Sequence, residues 1–231
     1  MEEIVKRKLF TGMGIAGVSL VLAASPAWAQ GNTEASAIVQ TVMDNLWVFI
    51  AGILVFFMQA GFALVEAGLT RSKNVANIMA KNIADMCIGV LAFFAVGYAF
   101  AYGSGGGWFI GGNSWFLSGE SLFALPDPKL LDTGEWVSGG LSGATDFFFQ
   151  VVFAATAVTI ASGAMAGRTK FSAYLLFSAL MTAFIYPVVV HWTWGGGLIA
   201  EFINWGDAGS YSDFAGSGIV PLTGGVAALM G

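Results

Sequence analysis

Five uncharged stretches, Asn45 to Val65, Met86 to Gly119, Phe147 to Gly167, Phe171 to Ala200 and Phe214 to Gly231, constrain this chain more than any other feature. A helix that crosses the hydrocarbon core needs about 20 predominantly apolar residues, and each stretch is long enough. Lipid offers no partner to a backbone amide, so only helices or closed barrels can cross it. These stretches lack the alternation of a barrel strand. The expected fold class is therefore all-α, a polytopic bundle of transmembrane helices. Composition agrees: 57% of residues are apolar and 10% charged, against about 25% charged in ordinary soluble domains, and the mean hydropathy is +0.76.

The first 29 residues are set apart from the fold. Lys6, Arg7 and Lys8 precede an apolar run from Leu9 to Ala24, then Ser25, Pro26 and the small-residue site Ala27-Trp28-Ala29. That pattern predicts a signal peptide over residues 1–29, cleaved after Ala29, with the mature amino terminus outside. Residues 30–231 then carry six Lys or Arg against twelve Asp or Glu, which leaves no basic face for nucleic acid. Cys87 is the only cysteine, so no intrachain disulfide or thiolate metal site can form. Its place in an apolar run reads as that of a small packing residue.

Spans are expected at roughly Asp44–Gly68, Val75–Tyr102, Thr145–Ala166 and Phe171–Trp194, with a final apolar segment after Asp213. Arg71, Lys73, Lys81, Arg168 and Lys170 lie at or near two short turns on one side, and Lys129 alone lies on the other. Cytoplasmic turns retain cations, so the count places the amino terminus outside, in agreement with the signal peptide. The spacing Gly163-Ala164-Met165-Ala166-Gly167 suits close helix packing in lipid. Gly195-Gly196-Gly197 would loosen or end a helix after Trp194.

Ionisable groups inside apolar spans are costly and are functional candidates by default. Lys81 and Asp85 are four apart, share a helix face, and are expected to neutralise each other near the inner surface. Glu66, one turn before Arg71 and Lys73, reads as a boundary residue paired with a cation. Asp213 reads as an N-cap that also draws cations to an outer mouth. His191, flanked by Trp192 and Trp194, reads as an interfacial or hydrogen-bonded residue, and no second His, Cys or Glu-x-x-His partner supports a metal site. Nucleophile motifs, a phosphate-cradling glycine loop and paired catalytic carboxylates are absent from the sequence, so neither an enzyme nor a cofactor is expected. Phe147, Phe148, Phe149, Phe153, Trp192 and Trp194 form either an interfacial aromatic belt or a cation site made of ring faces, each favourable contact contributing about 0.5–2 kcal/mol.

Longer motifs carry a resemblance. Phe57-Met58-Gln59-Ala60-Gly61-Phe62-Ala63-Leu64-Val65-Glu66-Ala67-Gly68 with Arg71-Ser72-Lys73-Asn74, Phe153-Ala154-Ala155-Thr156, Ser162-Gly163-Ala164-Met165-Ala166, Trp194-Gly195-Gly196-Gly197 and Asp213-Phe214-Ala215-Gly216-Ser217-Gly218 resemble the ammonium transporter family (Amt/Mep/Rh), in that family's order. The resemblance implies homotrimers in which each subunit has its own pore, built from two inverted five-helix repeats and usually followed by an eleventh helix. This chain would be the first half of that inverted-repeat fold, an ammonium transmembrane channel or transporter of the cell membrane with ammonium and ammonia as its partners besides lipid. By position, Phe149 and Trp194 would line the outer recruitment site, Phe153 would be a stacked ring gating the pore, Asp213 would support the site, and Gln150 lies beside them. An apolar constriction would then pass ammonia and refuse a hydrated ion.

Two residues depart from the family pattern. Pro221 stands eight residues after Asp213, where the resemblance implies the first pore histidine. Proline relays no proton, and inside a helix it would cost about 3 kcal/mol and kink it. Gly167 stands where the family usually has Glu before Arg168. The chain also stops at Gly231, within the expected fifth helix, so the second repeat and the cytoplasmic tail that a PII-type regulator acts on are not in it. An ammonium sensor, or an inactive truncated product, are the competing expectations.

Overall fold

The computed structural model describes residues 33–118, 122–202 and 211–231. The expected signal peptide lies outside the described residues, as do Glu120 and Asp207 of the two acidic connections. The chain divides into two compact units, Met1–Asp44 with Leu125–Gly140, and Asn45–Ala124 with Leu141–Gly231.

In the smaller unit, Thr41 is buried at 2% exposure and its hydroxyl accepts the Gly139 amide at 2.9 Å. Strands β1 (Lys129–Leu130) and β2 (Trp136–Val137) pair antiparallel, with Gly134 at φ +82° in the turn between them. A positive φ there favours glycine because it has no Cβ to clash.

Apart from the strand pair, the described elements are helical. Helix α1 (Glu34–Leu69) has 36 residues, about 54 Å at 1.5 Å per residue, and so exceeds a hydrocarbon core of about 30 Å. A short 3₁₀ turn, Ser72–Asn74, leads into α2 (Val75–Ala92), which passes through a π-helical turn, Phe93–Gly97, into α3 (Tyr98–Tyr102). Helix α4 (Gly143–Met165) follows; then α5 (Phe171–Leu180), a second π-helical turn (Met181–Ile185) and α6 (Tyr186–Thr193) form one continuous helical run. Two shorter helices, α7 (Leu198–Phe202) and α8 (Val220–Met230), complete the described elements.

Four helical segments are long and apolar enough to cross a membrane, Glu34–Leu69, Ser72–Tyr102, Gly143–Met165 and Phe171–Ala200. The expected spans therefore appear, with one shift: α1 starts ten residues before Asp44. The fifth apolar stretch forms a helix only from Val220, six residues after Phe214, because Gly216, at φ +82°, holds the chain in a turn first.

Helix α4 is the core of the larger unit. Val151, Val152, Ala154, Ala155, Thr156, Ala157, Val158, Thr159, Ala161 and Ser162 are all buried, and a helix buried almost all round belongs inside a bundle. It starts at Ser142, whose hydroxyl accepts the Thr145 amide at 3.3 Å as an N-cap. It stops at Gly167, which at φ +72° turns the Arg168 and Thr169 amides back to the Met165 carbonyl, both at 3.2 Å. Small residues set the approach of its neighbours. A Cβ on Gly224 of α8 would lie 2.7 Å from the Ala157 carbonyl oxygen, and one on Gly97 would lie 2.5 Å from that of Thr182. The second contact joins the two π-helical turns.

Helix α1 meets α4 through side chains seven residues apart. The Asn45 side-chain oxygen accepts the Ser142 amide at 2.8 Å, Gly52 makes room for the Phe148 ring, the Gln59 side-chain oxygen accepts the Thr159 hydroxyl at 2.8 Å, and Glu66 accepts the Ser162 hydroxyl at 2.8 Å. Polar groups joining helices in this way are a common device in lipid. The opposite face of α1 is bare, with Trp47 74% and Phe57 67% exposed. Cys87 is exposed on α2, which corrects its reading as a packing residue: the apolar run around it has a side left uncovered by the described residues.

Candidate functional site

Phe149 and Phe153 are four apart on α4 and so share a face. Their rings meet edge to face with centroids 5.0 Å apart, and Phe153 meets Trp194 in the same manner at 6.2 Å. Trp194 follows directly on α6, and its indole N–H donates to the backbone carbonyl of Asp213 at 2.8 Å. The Asp213 carboxylate, 8% exposed, accepts the amides of Gly218 at 2.9 Å and Ile219 at 2.8 Å through Oδ2. The structure thus brings Phe149, Phe153, Trp194 and Asp213 together. Gln150 lies on the next position of α4, with a buried side-chain oxygen that has no partner among the described residues.

Two expectations change here. Asp213 does not cap α8 directly; it gathers the amides of the turn that leads into α8, because that helix begins later than the apolar run. Pro221 occupies the first turn of α8 rather than its interior, and its side chain is exposed. A first-turn amide has no intrahelical acceptor, so the expected kink and its cost do not arise. His191, of the two readings open to it, is the hydrogen-bonding residue: it is 5% exposed, its ring nitrogens 2.9 Å from the Ala101 carbonyl oxygen and 2.8 Å from that of Gly107.

A second polar cluster lies near the Glu66 end of α1, where the sequence suggested simple ion pairs. Lys81 (1% exposed) donates from Nζ to the Ser162 carbonyl at 3.2 Å and sits 4.1 Å from the Tyr174 ring centroid. Asp85, fully buried, accepts the Tyr174 hydroxyl, and Glu66, 8% exposed, accepts that of Ser162. The three charges are thus bound into contacts with α4 and α5 rather than only into i,i+4 pairing or pairing with Arg71 and Lys73. A buried ammonium and two carboxylates on one side of the bundle neutralise one another only in part, so these hydroxyls and carbonyls are needed to offset desolvation. Gly167 also gains a structural reading, since its positive φ ends α4 in a conformation where a residue with a Cβ would be strained.

The sequence and the fold match known proteins over most of the chain. The model of the Ammonium Transporter Family matches residues 46–231. The chain belongs to the ammonium transporter family. It is 44% identical over 197 residues to ammonium transporter Amt2 of Archaeoglobus fulgidus, covering 81% of this chain and 37% of that relative. Among solved structures it is similar to one described as a Sensor Amt Protein, with a TM-score of 0.64, 34% identity, and coverage of 79% of this chain and 41% of the other. Candida albicans Mep2 gives a TM-score of 0.63 at 25% identity, covering 80% of this chain and 37% of the other. This family member is a multi-pass membrane protein, and it spans about two fifths of the length of such relatives.

Proposed function

We propose that this chain is the N-terminal part of an ammonium channel that collects ammonium at Phe149, Phe153, Trp194 and Asp213 and passes it on as ammonia. The carrying observation is the ring pair Phe153 and Trp194, 6.2 Å apart, with the indole tied to the Asp213 backbone. Ring faces attract a monovalent cation, and the carboxylate adds to that attraction at short range. Phe153, below Trp194 on this reading, closes the path to a hydrated ion, whose desolvation the apolar wall does not repay. Ammonium escapes that cost by giving its proton to water at the mouth and entering as ammonia; potassium has no proton to give. On this reading the site faces outward, residues 1–29 are a signal peptide, and the complete protein is a homotrimer in the cell membrane.

A sensor is the second reading, supported by the likeness to the Sensor Amt Protein structure and by Pro221 at the implied histidine position. Cells without their own ammonium uptake, expressing the complete reading frame that encodes this chain, separate the two. Growth on ammonium that Trp194→Leu weakens at micromolar but not at millimolar concentrations supports transport. No growth, together with retained ammonium binding by the purified protein, overturns transport in favour of sensing.

A further inference from the structure

His191 is the sole histidine of the chain and is buried. Nδ1 lies 2.9 Å from the Ala101 carbonyl oxygen, and Nε2 lies 2.8 Å from that of Gly107. A carbonyl only accepts hydrogen bonds. Neutral imidazole has one N–H and one lone pair, while the imidazolium has two N–H groups. Both short contacts are hydrogen bonds only in the imidazolium. In either neutral tautomer a nitrogen lone pair faces a carbonyl oxygen, and the bond to that buried acceptor is lost.

The two glycines placed one and three residues after Trp194 close around this ring. A Cβ on Gly195 would lie 2.2 Å from the Ala101 carbonyl oxygen and 2.8 Å from Nδ1. One on Gly197 would lie 2.7 Å from the Trp108 carbonyl oxygen and 2.8 Å from Cδ2 of His191. The Gly197 amide also donates to the His191 carbonyl at 2.8 Å. The ring therefore sits in a socket formed by the end of α3, the 103–112 loop and the turn that carries Trp194.

We infer that His191, doubly protonated, is the positioning residue for Trp194: it bridges α3 and the 103–112 loop and so fixes the turn from which the indole reaches Asp213. The inference rests on the reading of the Trp194 site as the ammonium-collecting site. Ionisable side chains on the elements packed against α6 are Tyr98 and Tyr102 of α3 and Asp146 of α4, with Glu201 in the sequence of α7, and Tyr211 and Asp213 ahead of α8. Tyr186 is on α6 itself, and the 103–112 loop has none. The Asp146 carboxylate takes the Tyr98 hydroxyl at 2.6 Å, and the Asp213 carboxylate takes two amides. At the ring itself the partners are the two carbonyls.

The test uses two readouts. Nitrogen-15 magnetic resonance of the histidine-labelled chain in bilayers, purified without a polyhistidine tag, reports the ring directly, since one histidine gives one signal set. Two protonated ring nitrogens are expected, one facing each carbonyl. The Trp194 indole N–H signal, read from tryptophan-labelled chain and assigned by its loss in Trp194→Phe, is expected to move in His191→Gln. Methylammonium uptake by the complete reading frame carrying His191→Gln should show KM about ten-fold higher with little change in Vmax, the scale of one lost hydrogen bond.

A single neutral tautomer, or an imidazolium with both the Trp194 signal and KM unchanged in His191→Gln, overturns the inference. Should the unchanged protein take up no methylammonium, the transport reading fails, and the two resonances still decide the role of His191. If His191→Gln does not fold, the number of protonated ring nitrogens in the unchanged chain remains decisive.

Discussion

Trp194 is held by its indole N–H at one end and by the Gly195–Gly197 turn at the other, so its ring is placed by backbone rather than by neighbouring side chains alone. Trp194→Leu should leave folding intact and raise the KM for methylammonium by about three- to thirty-fold, the range of one cation–ring contact; uptake kinetics at fixed pH check this. Pro221→His should change thermal stability by less than about 1 kcal/mol, because the first turn of α8 neither needs nor loses an amide bond there. Heating the two proteins in detergent measures the difference. The proximity of Phe153, Trp194 and Asp213 was legible in the sequence because contiguous motifs carry them, and Phe149 lies one turn before Phe153. The contacts of His191, Lys81 and Asp85 were not, since their partners, Ala101 and Gly107, Ser162, and Tyr174, lie 81 to 90 residues away along the chain. Local spacing made Lys81 and Asp85 look like a pair, and only the packing of α2 on α4 and α5 shows where each is directed.

Among the elements, apolar length located the four long helical segments, while the turn geometry that ends them was only partly visible. The π-helical turns Phe93–Gly97 and Met181–Ile185 leave no mark in the sequence, because each is chosen by its neighbour through Gly97 and Thr182. Such turns often mark functional positions. Gly97→Ala is expected to destabilise by about 1–3 kcal/mol, since the new Cβ meets backbone that cannot easily withdraw. Gly61→Ala, with nothing within 4 Å of its Cβ position, should instead be neutral or stabilising by up to about 1 kcal/mol. Thermal unfolding of the pair separates close packing from helix propensity. The stripe Asn45, Gly52, Gln59 and Glu66 on α1 was open to view at its seven-residue spacing, yet its meaning depends on Ser142, Phe148, Thr159 and Ser162 across the gap.

For the molecule as a whole, much apolar surface remains bare. Along α8 only Val220 and Gly224 are buried, while Leu222, Val226, Leu229 and Met230 are exposed. With relatives more than twice as long, we expect the 231-residue chain expressed by itself not to restore ammonium-dependent growth where the complete reading frame does. Restored growth by the short chain would remove the need for a second half of the pore. One feature offers a way to examine such questions without altering the protein. Cys87, the only thiol in the sequence, sits exposed on α2. A fluorophore attached there needs no cysteine-free background, and its quenching by lipids brominated at successive chain depths would report where α2 sits across the bilayer. The same probe would sense any element that comes to cover α2 when this chain associates with a partner, so a single natural atom can serve as both depth gauge and occupancy marker.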